Sequence, residues 1–207
     1  MEQKRLLKIV RASGLAMLSM LFALDASAEP TGMAAQLIKQ LHMEKIPAEG
    51  AWFAATYRSE DSLSPDALPK RYGGVARAVG SAIYALVTLE DFSAMHRLRT
   101  DEIWHYYGGD ALELLLLYPD GHGETVVLGP DVLRGQRPQV VVKAGVWQGA
   151  RPLGRDANSY TFFGDTLAPG FDYADFTSGY RDELQKAYPR YAGKIADLTR
   201  EEFARKP

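Results

Sequence analysis

Cysteine is absent from the sequence. Disulfide staples, thiol nucleophiles and thiolate-bound metals are excluded together, and packing alone must hold the fold. Charge of one sign is also missing: 24 Lys and Arg stand against 26 Asp and Glu, a formal net charge of −2. No basic cluster is interleaved with aromatics, so nothing points to nucleic acid. Past the first residues, no apolar run approaches the ~20 residues a membrane-crossing helix needs. G-x-S-x-G does not occur, which leaves serine-hydrolase chemistry without support. The pairs Gly73-Gly74 and Gly108-Gly109 do not lead from a strand into a helix, so neither is a phosphate loop.

The beginning of the chain reads as an export leader. Lys4, Arg5, Lys8 and Arg11 make a basic start, Gly14 to Leu24 is a short apolar run, and Ala26-Ser27-Ala28 resembles a signal-peptidase site. The other readings of this stretch are an uncleaved anchor or an ordinary first helix. The leader predicts a signal peptide over 1–28, a mature chain of 29–207, and an exported, periplasmic protein with no membrane attachment after cleavage. Losing four basic and two acidic residues takes the net charge from −2 to −4. The mature length suits one domain with one substantial core.

Thr31 to Met43 predicts a helix, with Ala34, Leu37, Ile38 and Leu41 at helical spacing. Ala51 to Arg58 predicts a strand rich in aromatics. Ser59 to Gly74 is polar and broken by Pro65 and Pro69, and reads as a long loop of the kind that forms a lid or rim. From Gly80 the pattern is short strands: 80–88, 92–98, 102–107, 111–118, 124–129, 138–143, 145–150, 157–166 and 171–176. Turns at Gly108-Gly109-Asp110, Pro119-Asp120-Gly121, Gly129-Pro130-Asp131 and Pro169-Gly170 punctuate them. Many short strands without crossover helices argue for an antiparallel sandwich or barrel. The tail, 179–187 and 190–204, predicts short amphipathic helices on the outside.

Chemistry concentrates in Ser93 to Gly109, S-A-M-H-R-L-R-T-D-E-I-W-H-Y-Y-G-G. Residues two apart share a strand face. Phe92, Ala94, His96 and Leu98 therefore share one face, and Glu102, Trp104 and Tyr106 share one on the next strand. If the apolar members point inward, so do His96 and Glu102. Buried charge is costly unless it is paired, metal-bound or faces a wet cavity. After the Ala144-Gly145 turn, Gln148 becomes the inward polar group beside them. His105 falls on the outward parity, and His122 lies in a turn.

The spacing His96-x-Leu98-x3-Glu102-x6-Gly109 resembles the first cupin motif, and Lys143 to Gln148 lies where the second stands. The departures are Glu90 for the opening Gly, Leu98 for the second His, Lys143 for the Pro and Gln148 for the last His. The chain is similar in more detail to an uncharacterised branch of the cupin superfamily, related in fold to sugar-nucleotide epimerases. The resemblance is carried by Glu49-Gly50-x-x-Phe53-x-x-Thr56-Tyr57-Arg58, Ser81-x-Ile83-Tyr84, His96-Arg97-Leu98-x-x-Asp101-Glu102-x-Trp104-His105, Gly145-Val146-Trp147-Gln148 and Ala168-Pro169-Gly170-Phe171-Asp172. It implies an all-β cupin double-stranded β-helix, a jelly-roll barrel, with an N-terminal helix and C-terminal helices outside. It also implies a homodimer.

Three functional readings stay open. In the first, the barrel binds a small polar ligand, such as a sugar derivative, and isomerises or epimerises it. His96, with an ordinary pKa near ~6.5, is the base. Glu102, Asp172 or Asp175 orients it, and Tyr84 or Tyr106 returns a proton. In the second, His96, Glu102 and Gln148 hold one divalent transition metal. In the third, the pocket only binds. Arg58, Tyr84, Trp104, Tyr106 and Gln148 are the candidate ligand contacts in each.

Overall fold

The computed structural model describes residues 29–206, so the expected leader lies outside the described residues. Helix α1 (Gly32–Gln40) comes first. The strands β1 (Glu44–Lys45), β2 (Trp52–Arg58), β3 (Ser62–Leu63), β4 (Arg77–Ala78), β5 (Ser81–Thr88), β6 (Ser93–Leu98) and β7 (Glu102–Gly109) follow. After them come β8 (Leu112–Leu117), β9 (Gly123–Leu128), β10 (Gln139–Val142), β11 (Trp147–Pro152), β12 (Tyr160–Leu167) and β13 (Phe176–Ser178). Helices α2 (Arg181–Ala187) and α3 (Ala192–Asp197) close the chain.

α1 is shorter than its periodicity predicts. His42 takes a left-handed φ of 51°, a conformation no right-handed helix continues through. The expected strand at 171–176 is instead a 3₁₀ turn, Tyr173–Asp175, leading into β13, because the Asp172 side chain caps Ala174 N–H. The 59–74 loop is not bare. It contains β3, which pairs with β4, and two 3₁₀ turns, and it is pinned by the buried Tyr72, whose hydroxyl accepts from Thr100 Oγ1.

Apart from the two-stranded β3-β4 sheet, the strands form two sheets of order β1-β2-β5-β12-β7-β10 and β13-β6-β11-β8-β9. Every pairing between them is antiparallel. Neighbours in a sheet are distant in sequence, as in β5 beside β12 and β6 beside β11, which is the winding of a jelly-roll barrel. The core has three layers. Between the sheets lie Ala85, Val87, Trp104, Leu112, Leu114, Leu116, Val140, Val142 and Phe163. On the outer face of the five-stranded sheet, Met95, Leu115 and Leu117 pack under Leu184, Ile195 and Leu198 of the C-terminal segment. On the six-stranded sheet, Ala34 and Met43 cover Leu86. This layering explains β8, L-E-L-L-L-L. A strand covered on both faces has no reason to alternate.

Candidate functional site

One part of the barrel interior is not filled with hydrocarbon. A cavity of about 160 Å³ opens there, lined by His96, Glu102, Glu49 and Asp165 among Ile46, Phe53, Leu98, Trp104 and Phe176. Strand parity explains how the polar members arrive. β6 turns Ala94, His96 and Leu98 inward and Met95 outward to the helices. β11 runs beside it with Gln148 opposite His96. β7 brings Glu102 and Trp104, and β12 sets Asp165 opposite Trp104 and Leu167 opposite Glu102. Trp104 stacks on Phe163 at 4.8 Å and 8°, which fixes the indole plane. Glu49 comes from the turn ahead of β2, where its Oε1 accepts from Ser93 Oγ at 2.6 Å.

A chain of hydrogen bonds fixes the imidazole. Trp104 Nε1–H donates to Gln148 Oε1 at 3.0 Å. An indole nitrogen only donates, so the amide oxygen must face Trp104 and the NH₂ must face the other way. The NH₂ lies 3.2 Å from His96 Nε2 and also donates to Glu102 Oε2. His96 Nδ1 is 2.8 Å from the Ala94 carbonyl, which only accepts. These partners assign the neutral Nδ1–H tautomer, with the Nε2 lone pair taking the Gln148 amide hydrogen. The ring is stacked on Phe176 at 5.3 Å and 16°.

The carboxyl groups stand around this ring. Glu49 Oε2 is 4.0 Å from Nδ1 and Glu102 Oε2 is 4.0 Å from Nε2. Burial pushes the Glu102 carboxyl up to about 7, the nearby Glu49 charge adding to the shift and His96 opposing it. Burial also raises Asp165 well above the ordinary carboxylate range, with the Glu102 and Glu49 charges raising it further. Asp165 Oδ1 accepts no hydrogen bond from any described residue.

The donor set does not fit a cupin-type metal. Gln148 presents its NH₂, not its carbonyl, and both His96 nitrogens are engaged. Glu49 and Glu102 lie off opposite nitrogens of the ring. Among the described residues no three His, Cys, Asp or Glu side chains converge as a metal site.

The other sequence candidates divide. Trp104 and Arg58 line the cavity, and Arg58 Nη1–H donates to the Phe171 carbonyl at 2.9 Å. Gln148 is buried and is not a lining residue; its NH₂ meets His96 Nε2 and Glu102 Oε2. Tyr106 packs against the barrel core, its hydroxyl on the Gly109 carbonyl, and is not a lining residue. Tyr84 lies outside: Ile83 and Ala85 take the inward positions of β5, and Tyr84 joins Tyr107 and Phe162 on the outer face. Asp172 caps its own turn, while its neighbours Phe171 and Tyr173 line the cavity. Asp175 is bound by both Nε and Nη2 of Arg77 at 2.8 Å, not by His96. The rim is built from 171–176 and β2, and no residue of 59–74 lines the cavity. His105 faces outward, between Thr166 and Gln139.

Two lining carboxyls escaped the sequence reading. Asp165 had a usable signal: Phe163, Asp165 and Leu167 share one parity, and two of the three are large and apolar. Glu49 sits in a turn where parity says nothing, and its one signal is that it opens the Glu49-Gly50 motif of the family resemblance.

With this geometry in view, relatives become informative. Residues 35–178 match the family described as Cupin superfamily (DUF985). The chain belongs to this cupin family. An uncharacterized protein of Saccharomyces cerevisiae is 28% identical to this cupin over 178 residues, 82% of this chain and 88% of the yeast protein. A solved structure of a hypothetical protein from Leishmania major aligns with a TM-score of 0.72 and 28% identity, over 82% of this chain and 100% of its own. A Shewanella oneidensis protein aligns at a TM-score of 0.69 and 30% identity, over 80% of this chain and 96% of its own. The cupin barrel and its outer helices are therefore as the sequence predicts.

Proposed function

We propose that this cupin binds a small organic molecule in its barrel and moves a proton on it, as an isomerase or epimerase does. The observation that carries the reading is Glu102, a cavity-lining carboxyl raised to about 7. A general acid–base group works best when its pKa lies near the operating pH. His96 was the first choice for base from sequence, but its Nε2 lone pair is taken by the Gln148 amide. We therefore assign the proton transfer to Glu102. His96, Gln148 and Trp104 are positioning residues that hold its carboxyl from one side. The apolar walls limit water at the reacting group and strengthen its hydrogen bonds.

The test is deuterium wash-in. A panel of sugar derivatives and 2-oxo compounds is incubated with the protein in D₂O and read by NMR. Exchange at a carbon by the wild type, lost in Glu102→Gln with the fold intact by circular dichroism, supports the assignment. Equal exchange by Glu102→Gln would refute it, and binding without any exchange favours a protein that only binds. The leader pattern supports periplasmic export, and family resemblance supports a homodimer. Cell fractionation and light scattering of the mature protein check these two.

A further inference from the structure

The cavity that serves the proposed proton transfer also carries information about the charge of what enters it. Three carboxyls line it, from Glu49, Glu102 and Asp165. Two of them have hydrogen-bond donors within the protein: Glu49 takes Ser93 Oγ, and Glu102 takes the Gln148 amide. Asp165 differs. It is 6% exposed, it lines the cavity, and its Oδ1 accepts nothing from the described residues. A buried acceptor left open in this way costs stability unless something outside the chain fills it.

The balance of charge points the same way. Among the lining residues the only fixed cation is Arg58, an exposed side chain with one N–H on the Phe171 carbonyl. His96 has both ring nitrogens engaged within the protein, Nδ1 by the Ala94 carbonyl and Nε2 by the Gln148 amide. An anion entering here would meet three carboxyls in the wall, with the exposed Arg58 as the one lining cation to answer them. Aromatic rings make up much of the remaining wall, Phe53, Tyr57, Phe171, Tyr173 and Phe176, with Trp104 opposite Asp165, beside aliphatic residues such as Ile46 and Leu98. Aromatic faces attract organic cations.

We infer that the natural ligand carries a cationic N–H donor, an ammonium or amidinium group on a small body, with its nitrogen on Asp165. This inference rests on the barrel being the ligand site, as proposed above, and it narrows the substrate class to amine-bearing molecules. Sugar nucleotides and simple carboxylate substrates are disfavoured by the same carboxyls.

The size of the cavity, about 160 Å³, suggests the probe. A cavity of about 150 Å³ holds a benzene ring. Benzylammonium, benzyl alcohol and benzoate share that ring and differ in charge. Their affinities for the full mature protein are measured by ligand-observed NMR at mildly alkaline pH. The expected order is benzylammonium first, on the order of tenfold tighter than benzyl alcohol, with benzoate weakest. Asp165→Asn is expected to erase the preference for the cation. Benzoate binding as well as benzylammonium, no binding of benzylammonium at millimolar concentration, or an unchanged preference in folded Asp165→Asn would each overturn the inference. The wild-type ranking stands even if the variant fails to fold. The two readings fail separately. Cation preference without deuterium exchange removes the proton-transfer assignment alone, and exchange without cation preference removes the ligand class alone.

Discussion

Two aspartates are buried to similar depth in this barrel, and only one has a partner. Asp175, 3% exposed, receives both Nε and Nη2 of Arg77 at 2.8 Å, and the guanidinium lies over the Tyr72 ring. Asp165, 6% exposed, faces two further carboxyls and the His96 imidazole across a cavity. The first arrangement satisfies every demand of a buried charge. It ties the 171–176 segment to the strand at 77–78 and leaves nothing for a ligand to do. The second satisfies few of them, and folding alone does not explain its retention. Asp175, near a motif, was a candidate to orient His96, and Asp165 was passed over.

The largest effect should come from taking away the partner that Asp175 has. Arg77→Met leaves the buried Asp175 carboxylate with only the more exposed Arg99 Nη1, 3.9 Å away, and is expected to cost about 3–5 kcal/mol in urea unfolding. A loss below about 1 kcal/mol would mean the pair is not the structural tie it looks to be. Asp165→Asn runs the other way. Removing a poorly compensated buried carboxyl is expected to raise stability by about 1 kcal/mol at neutral pH, while the cation preference disappears. A destabilisation as large as that of Arg77→Met would place Asp165 among the structural residues.

The pH dependence sharpens the contrast further. The Glu102 carboxyl binds its proton more tightly in the folded barrel than in the unfolded chain. Its cost to stability is therefore absent below about pH 4.5, grows as pH rises, and is complete above about pH 7. Asp165, raised in the same direction, extends the fall upward. The melting temperature of the wild type should drop across that window, and Glu102→Gln should flatten the drop. A curve unchanged by the substitution would disconnect Glu102 from it. The smallest effect belongs to Asp172→Asn. Asn caps as well as Asp, so stability should change by less than about 0.5 kcal/mol and probe binding not at all. A loss of binding would return Asp172 to the site.

Much of this was legible in the chain wherever strand parity applies. His96, Glu102, Trp104 and Gln148 were placed on the inward face by counting, and the barrel brings all four together. Parity failed where the backbone leaves a strand. Glu49 in its turn and Asp172 at its 3₁₀ cap could not be oriented by counting, and one lines the cavity while the other caps its own turn. Tyr84 shows a different failure. It was chosen for its hydroxyl, although Ile83 and Ala85 on either side already claimed the interior. The direction of the Gln148 amide could not be read at all, since it depends on an indole 44 residues away in sequence. That direction sets the NH₂ of Gln148, and not its carbonyl, toward His96 and Glu102.

The central claim is that the barrel keeps a carboxyl poised to exchange its proton near neutrality. Carboxyl-carbon NMR of glutamate-labelled mature protein tests it directly, with Glu102→Gln for assignment. The account predicts one glutamate signal titrating near about 7 and missing from the variant. A spectrum in which every glutamate titrates in the ordinary range, near about 4.3, would contradict it.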